Sequence, residues 1–267
     1  MQKSIYQQTG LAMLFLGIGL VSACSVPPKE ESPMTVKHNY IVLLDLSDRL
    51  IVQQNQPERD KEIIDHIYSL FEKKVKSALY VKSRDEFKVV VAPQLGSRVR
   101  TDIFEDRLYV DMENIPMVHR KRNEAERKTA FEANIDSLYK EAIFSSNPED
   151  YHGADIWKYF YEDLKVDYSR DTLTENYLFI LTDGYPIVGK DQVKLREVKD
   201  QFPDLNIVLL EASPREKDME WDRIMTVWED WFDKIDIKEY TLIKRGAISK
   251  EKEQIKEIVN EKLTASN

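Results

Sequence analysis

The stretch that decides the fold is Tyr40-Ile41-Val42-Leu43-Leu44-Asp45-Leu46-Ser47-Asp48-Arg49, an apolar run that ends abruptly among oxygen-bearing and charged side chains. A second stretch has the same design: Tyr177-Leu178-Phe179-Ile180-Leu181-Thr182-Asp183-Gly184. Because apolar residues continue through each run without alternation, both predict buried parallel strands. Ligand sites in open α/β sheets lie at the carboxyl ends of such strands, so we expect Asp45 and Asp183 to meet at one edge.

Helical and strand patterns alternate along the rest of the chain. Apolar residues at three- and four-residue spacing predict helices over 57–80, 124–144, 155–164, 188–202, 217–232 and 249–263. Further strands are predicted over 87–92, 107–112, 205–210 and 235–243. The first two of these strands would pair as a wide hairpin at a sheet edge. We therefore predict a doubly wound α/β fold, with a mostly parallel sheet, one antiparallel edge strand and helices on both faces.

Two other clusters have both a structural and a functional interpretation. Aromatic residues at helical spacing include Trp221, Trp228, Trp231 and Phe232, a pattern typical of core, with an exposed docking or sugar-stacking platform as the alternative. The basic run at 119–122 is predicted to be a solvated helix start, with an anion site as the alternative.

Composition excludes two classes of function. The net charge of −9 argues against a nucleic-acid partner, because binding a polyanion needs a basic face. The chain has eight Gly, three of them within its first nineteen residues, and G-x-G-x-x-G does not occur. The segment from Gly184 to Lys190 has the G-x-x-x-x-G-K spacing, but Asp191 stands where a phosphate-binding loop has Ser or Thr. We therefore expect no phosphate-cradling loop.

The first residues predict export and lipid anchoring. Lys3, an apolar run from Leu11 to Val21 and the small residues before Cys24 have the order of a secretory signal. Val21-Ser22-Ala23-Cys24 resembles the bacterial lipobox, and this resemblance implies that Cys24, the only Cys, is lipidated. We predict a signal peptide over 1–23, a lipidated Cys and flexible tether over 24–37, and a folded domain over 38–267.

These features predict a location in the cell envelope, with the chain held to a membrane through its lipid. Lys29-Glu30-Glu31 resembles a short tag found behind the lipidated Cys of surface-exported lipoproteins in some Gram-negative bacteria. The resemblance implies the outer membrane and exposure at the cell surface, and an ordinary solvated linker is the alternative.

The two strand ends carry a set of hard oxygen donors. Asp45 and Ser47 lie two residues apart, so an extended backbone would point their side chains the same way, and Asp183 follows the second run. Carboxylate and hydroxyl oxygens suit Mg²⁺, Ca²⁺ or Mn²⁺ and do not suit zinc or copper. The sequence thus predicts a candidate metal site formed by Asp45, Ser47 and Asp183.

Three short motifs resemble those of von Willebrand factor type A domains. Asp45-Leu46-Ser47-Asp48-Arg49 resembles the D-x-S-x-S loop, Leu181-Thr182-Asp183-Gly184 the T-D-G loop, and His152-Gly153-Ala154-Asp155-Ile156 the middle loop. The order of elements is similar over nearly all of the mature chain. The resemblance implies a metal-ion-dependent adhesion site at which an acidic group of a partner protein is captured, with Asp48, Arg49 and Asp155 in contact with that partner.

Two departures from the family pattern remove oxygen ligands. Arg49 stands where the second Ser of the first loop is expected, and Ala154 stands where the Thr of the middle loop is expected. Two interpretations follow. Either Asp45, Ser47, Asp183 and water hold a metal ion, or the guanidinium of Arg49 lies among the carboxylates and substitutes for the cation.

Catalysis is predicted to be absent. A phosphotransferase with an Asp nucleophile would need a second Asp where Ser47 stands, and Asp48 is one position too far along. The four His residues have no metal-binding spacing, and no G-x-S-x-G motif occurs. We therefore predict a protein-binding lipoprotein. The alternatives are a structural subunit of an envelope assembly with a vestigial site, and a phosphohydrolase that depends on Asp45.

Overall fold

The computed structural model of the protein describes residues 35–94, 97–144, 153–185, 201–213 and 221–265. Within these ranges the chain forms a single six-stranded sheet. Its strands are β1 (Lys37–Leu44), β2 (Glu86–Val91), β3 (Tyr109–Asp111), β4 (Thr174–Leu181), β5 (Leu205–Ala212) and β6 (Glu239–Lys244).

The strand order is β3-β2-β1-β4-β5-β6. All neighbouring pairs are parallel except β2 and β3, which are antiparallel, so β3 is an antiparallel edge strand. The chain builds outward from β1 to β3 and then continues on the other side of β1, where β4 pairs with it. The direction of winding therefore reverses between the neighbouring strands β1 and β4. The position between their carboxyl ends is the topological switch point of the sheet.

Helices cover both faces of the sheet. The described helices are α1 (Arg49–Val52), α2 (Gln56–Ser77), α3 (Thr101–Arg107), α4 (Met117–Arg120), α5 (Glu124–Phe144), α6 (Ile156–Glu162), α7 (Leu164–Asp167), α8 (Trp221–Lys234) and α9 (Ile248–Ala265). None of them is long and apolar enough to cross a membrane.

Alternate residues of each strand divide the core into two layers. Tyr40, Val42 and Leu44 of β1 pack in one layer together with apolar residues of α2, α5 and α9. Ile41 and Leu43 pack in the other layer with α6 and α8. Every residue of β1 is buried, which is the reason that its sequence shows no alternation.

The predicted fold class is confirmed, including the antiparallel edge strand. The aromatic stripe is core as predicted, since Trp228, Trp231 and Phe232 are fully buried. The predicted helix over 188–202 lies outside the described residues except for its last two positions. The segment before residue 35 lies entirely outside them. The strand predicted over 107–112 is shorter in the structure, where β3 spans Tyr109–Asp111.

In the structure α3 lies in the connection of the predicted wide hairpin, between β2 and β3, and β3 begins only at Tyr109. Phe104 and Leu108 lie four residues apart and both are buried. This spacing brings the two side chains to one face of a helix, and it would also do so in a strand, so the burial pattern alone did not distinguish the two. The last strand also starts later than predicted, at Glu239, because the N–H groups of Ile235 and Ile237 bond back to the carbonyls of Trp231 and Phe232 at the end of α8.

Candidate functional site

The carboxyl ends of β1 and β4 lie side by side at the switch point. Leu44 is in register with Leu181, and the N–H of Asp45 donates a hydrogen bond of 3.0 Å to the Leu181 carbonyl. The hydroxyl of Thr182 donates to Oδ2 of Asp45 at 2.9 Å. The two stretches that ended in carboxylates thus converge at one edge.

Asp45 holds the first loop in shape. Its Oδ1 accepts a 2.9 Å hydrogen bond from the backbone N–H of Ser47, while Oδ2 accepts the Thr182 hydroxyl. Asp45 is only 2% exposed and Ser47 only 4% exposed. Both carboxylate oxygens therefore have internal donors, and the side chain connects the two strand ends.

The turn after β4 is fixed by its backbone and by helix α8. Gly184 has a φ of +102°, which is unfavourable for any residue with a Cβ, and its carbonyl accepts a 2.9 Å hydrogen bond from the indole of Trp228. The carboxylate of Asp183, 6% exposed, accepts the N–H of Tyr185 at 3.3 Å. Asp183 is thereby placed two residues beyond the end of β4.

Asp155 reaches the same edge from a different direction. Its N–H donates to the carbonyl of Pro93 at 2.7 Å, just beyond β2, and Ala154 forms a β-bridge with Gln94. Its side chain caps α6, because Oδ1 accepts the N–H of Lys158 at 2.8 Å. Asp155 and Asp48 are each half-buried, whereas His152 lies outside the described residues.

Arg49 is fully buried beneath the strand ends. Its Nε donates to the backbone carbonyl of Asp45 at 2.7 Å, and its Nη2 donates to the carbonyl of Leu181 at 3.1 Å. The same guanidinium forms a fork with Asp60 of α2, at 3.2 and 2.7 Å. The prediction that Arg49 contacts a partner needs correction, because all of its donors point into the fold and none of its surface is accessible.

Asp60 is the counter-ion that keeps Arg49 in place. Besides the two guanidinium donors it accepts Gln56 at 2.8 Å and the Tyr139 hydroxyl at 3.0 Å. Burial raises the pKa of Asp60 and lowers that of Arg49, but the attraction between the pair leaves the pKa of Arg49 above its ordinary value. We take the pair as ionised, because four donors surround the carboxylate.

This arrangement does not fit a divalent cation. A cation already lies near Asp45, since Nε of Arg49 is 4.0 Å from its Oδ2. A metal ion bound to Asp45 would lie close to this guanidinium, and the two positive charges would repel each other. Both oxygens of Asp45 already accept hydrogen bonds from protein donors. In the described part of the chain no three His, Cys, Asp or Glu residues are grouped so that they could hold a metal ion. The guanidinium of Arg49 binds Asp60 and two backbone carbonyls beneath the loop, and the interpretation that it substitutes for a metal ion stays a prediction.

The ionic contacts extend from the site to β5, β6 and α9. Glu211, fully buried at the end of β5, accepts hydrogen bonds from Arg59, Gln56 and Arg245. Arg59 also contacts Glu251 at 3.0 Å. Glu211 has a φ of +65°, within an irregular stretch of the β5–β6 pairing that turns its side chain toward these donors.

Sequence reasoning missed both Asp60 and Glu211. Asp60 did carry a signal, because it lies three, four and seven residues before Ile63, Ile64 and Ile67 on the buried side of α2. A carboxylate on an apolar stripe needs a buried partner. Glu211 follows the apolar run of β5 in the way that Asp45 follows that of β1.

Comparison with known proteins adds a likeness of fold only. No protein-family model matches the sequence, and no curated protein has a significantly similar sequence. Among solved structures, the conserved hypothetical protein BatB from Bacteroides thetaiotaomicron is similar over 84% of this chain and 99% of its own, with 10% sequence identity and a TM-score of 0.39.

Removing the buried guanidinium should be costly. We expect Arg49→Met to lower the free energy of unfolding by about 3–5 kcal/mol, because Asp60 would remain buried without its counter-ion. Arg49→Met/Asp60→Asn should lose less than Arg49→Met alone, since the double variant leaves no uncompensated charge. Urea denaturation measures both. Equal stabilities of Arg49→Met and the unsubstituted protein would contradict the assignment.

The turn at Gly184 should reject a side chain. A Cβ there would lie 3.1 Å from two carbons of Ile224 and would impose a φ of +102° on an L residue. We expect Gly184→Ala to destabilise the fold by about 1–3 kcal/mol. Gly246→Ala is the matched control, since its nearest neighbour would lie 3.7 Å away, and it should have little effect in the same thermal melts.

Stability should fall near neutral pH because of Glu251. Burial, followed by the neighbouring Glu211, raises the pKa of Glu251 from 4.5 to about 7. A group whose pKa is higher in the folded state than in the unfolded state stabilises the fold at pH values below its unfolded pKa. This stabilisation is lost as the pH rises through the folded pKa. We expect a loss of about 1–3 kcal/mol between pH 5 and 8.

Glu251→Gln should abolish that loss, and the exposed Glu253→Gln should retain it. Glu211 does not interfere in this window. Burial alone would raise the pKa of Glu211, but hydrogen bonds from Arg59 lower it to about 2. The titration of Glu211 therefore changes stability only below pH 4.5. Parallel pH profiles of the unsubstituted protein and Glu251→Gln would refute the role of Glu251.

Proposed function

We propose that this chain is a cell-envelope lipoprotein whose α/β domain binds a partner protein at the carboxyl edge of the sheet. The observation that carries the proposal is the convergence of the β1 and β4 ends at the switch point, where open α/β sheets hold their ligands. Cys24 would carry the lipid and residues 24–37 the tether, both as the lipobox resemblance implies.

The domain would act in the manner of a von Willebrand factor type A domain with a guanidinium in place of its metal. Arg49 supplies a permanent positive charge beneath the loop and ties Asp45 to β4. Because this charge needs no cation from solution, the loop would be preorganised at any concentration of Mg²⁺ or Ca²⁺. Recognition at this edge would then be independent of metal.

The accessible side chains at the edge suggest the kind of partner group. Ile51 and Val52 of α1 are 49% and 60% exposed, next to the half-buried Asp48. Arg49 offers no surface to receive the acidic group that the family resemblance implies. A partner that presents basic and apolar groups would complement this rim better than an acidic one.

Binding is favoured over catalysis by the state of Asp45. A nucleophilic carboxylate needs an accessible oxygen, whereas both oxygens of Asp45 accept hydrogen bonds from the protein and the residue is 2% exposed. A second candidate function is that of a structural subunit with a vestigial edge. This second function is favoured by the burial of Arg49, because Arg49 stands where the second Ser of the first loop would otherwise supply an oxygen ligand.

Crosslinking in intact cells tests the proposal. We expect Ile51→Asp/Val52→Asp to reduce crosslinking of the full chain to its partner by about tenfold, because charges would replace the apolar centre of the contact. Val166→Asp is the control, since Val166 is 78% exposed on α7, whose Asp167 contacts Asn39 in the first half of β1, away from the carboxyl ends of the strands. A chelator should leave the yield unchanged.

The other outcomes are equally informative. Crosslinking that survives the double substitution would show that the edge is not the contact surface and would favour the structural subunit. A yield that the chelator abolishes would show that a metal ion takes part.

A further inference from the structure

The antiparallel edge strand β3 has unused backbone groups. Val110 is in register with Phe87, while Val89 donates to the Leu108 carbonyl and Met112 donates to that of Asp85. Residues 108, 110 and 112 thus direct their backbone groups toward β2, and the N–H and C=O groups of Tyr109 and Asp111 point away from the sheet. No described strand pairs with this outer side.

A groove of about 390 Å³ runs beside this edge, between β3, the turn that follows it and α5. Its apolar lining includes Val110, Ile115 and Phe131, and Arg107 and Arg127 contribute positive charge. A groove between an edge strand and a helix is the arrangement in which extended peptides add to a sheet, with alternate side chains entering the groove.

The lining of the groove carries two arginines, Arg107 and Arg127, and one carboxylate in a protein with a net charge of −9. Arg107 is exposed and has no hydrogen bond or ion pair with a described residue. Arg127 hydrogen-bonds to the backbone carbonyls of His119 and Arg120, and the exposed Lys121 and Arg122 follow directly. The basic run noted in the sequence therefore lies beside this groove.

The one carboxylate among the groove residues is already used. Asp111 accepts the N–H groups of Glu113 and Asn114 in the turn after β3, as well as the Tyr109 hydroxyl. Asp111 is held by these donors and forms no ion pair with Arg107, so the lining keeps two positive charges against one negative charge. A ligand with backbone hydrogen-bonding groups and negative charge would complement both the edge and its surroundings.

We propose that β3 and this groove bind an extended acidic segment of a partner protein, which adds to the sheet as a seventh strand next to the six that the structure describes. This surface is distinct from the β1–β4 edge. Two outward-facing residues of β3 supply the backbone pairing, the groove accepts apolar side chains, and the basic residues select acidic ones. Anionic lipid would match the charge but would leave the backbone groups unpaired.

The test is fluorescence anisotropy of the full chain with three labelled heptapeptides. The first alternates valine and glutamate, the second replaces each glutamate by lysine, and the third is the first with alternate backbone nitrogens methylated. We expect the first to bind and each of the other two to bind at least about tenfold more weakly, because charge reversal and loss of N–H donors each remove part of the recognition.

Two variants locate the binding. Arg107→Glu should weaken the valine–glutamate peptide by about tenfold, because it reverses an exposed charge at the groove. Lys238→Glu is the matched control: it makes the same charge change at an exposed position just before β6, at the other edge of the sheet, and should leave affinity within about twofold.

Three results would overturn the proposal. The first is that no peptide binds. The second is that methylated and unmethylated peptides bind equally, which would show charge attraction without strand addition. The third is that phosphatidylglycerol vesicles bind, the peptides do not bind, and Arg107→Glu abolishes the binding of the vesicles. This result would make the groove a lipid-contact surface. Ile51→Asp/Val52→Asp should not change peptide binding, so this test is separate from that of the β1–β4 edge.

Discussion

The ion pair of Arg49 and Asp60 beneath the ends of β1 and β4 is the interaction on which this edge depends. Its guanidinium binds the carbonyls of Asp45 and Leu181, one from each strand end, and is held from below by α2. A buried ion pair stabilises a fold only if its hydrogen bonds are satisfied, and here four donors meet the Asp60 carboxylate. The pair therefore fixes how the two loops lie relative to each other.

The same pair supports our proposal that this edge serves recognition. A permanent cation lies buried beneath the first loop, and both carboxylate oxygens of Asp45 accept hydrogen bonds, from Ser47 and Thr182. What remains accessible is a rim with the half-buried Asp48 beside exposed apolar residues of α1. A surface of this kind contributes through shape, burial and charge complementarity.

The sequence was informative wherever a property is local. Uninterrupted apolar runs predicted β1 and β4, and the carboxylates that end these runs predicted which edge would carry the site. The direction of the Arg49 side chain could not be predicted in this way, because its partner Asp60 is on another helix and its acceptor Leu181 is 132 residues away. The β3 edge was predicted, but α3 was not, because two buried residues four apart are too short a pattern to identify a helix.

Calorimetric titration of the full chain with Mg²⁺, Mn²⁺ and Ca²⁺ tests the central claim most directly. If the guanidinium of Arg49 has taken the place of a metal ion, none of the three cations should give a saturable heat above that of dilution. A saturable heat with one cation bound per chain, lost in Asp45→Asn, would show that the strand ends hold a metal ion and would contradict this account.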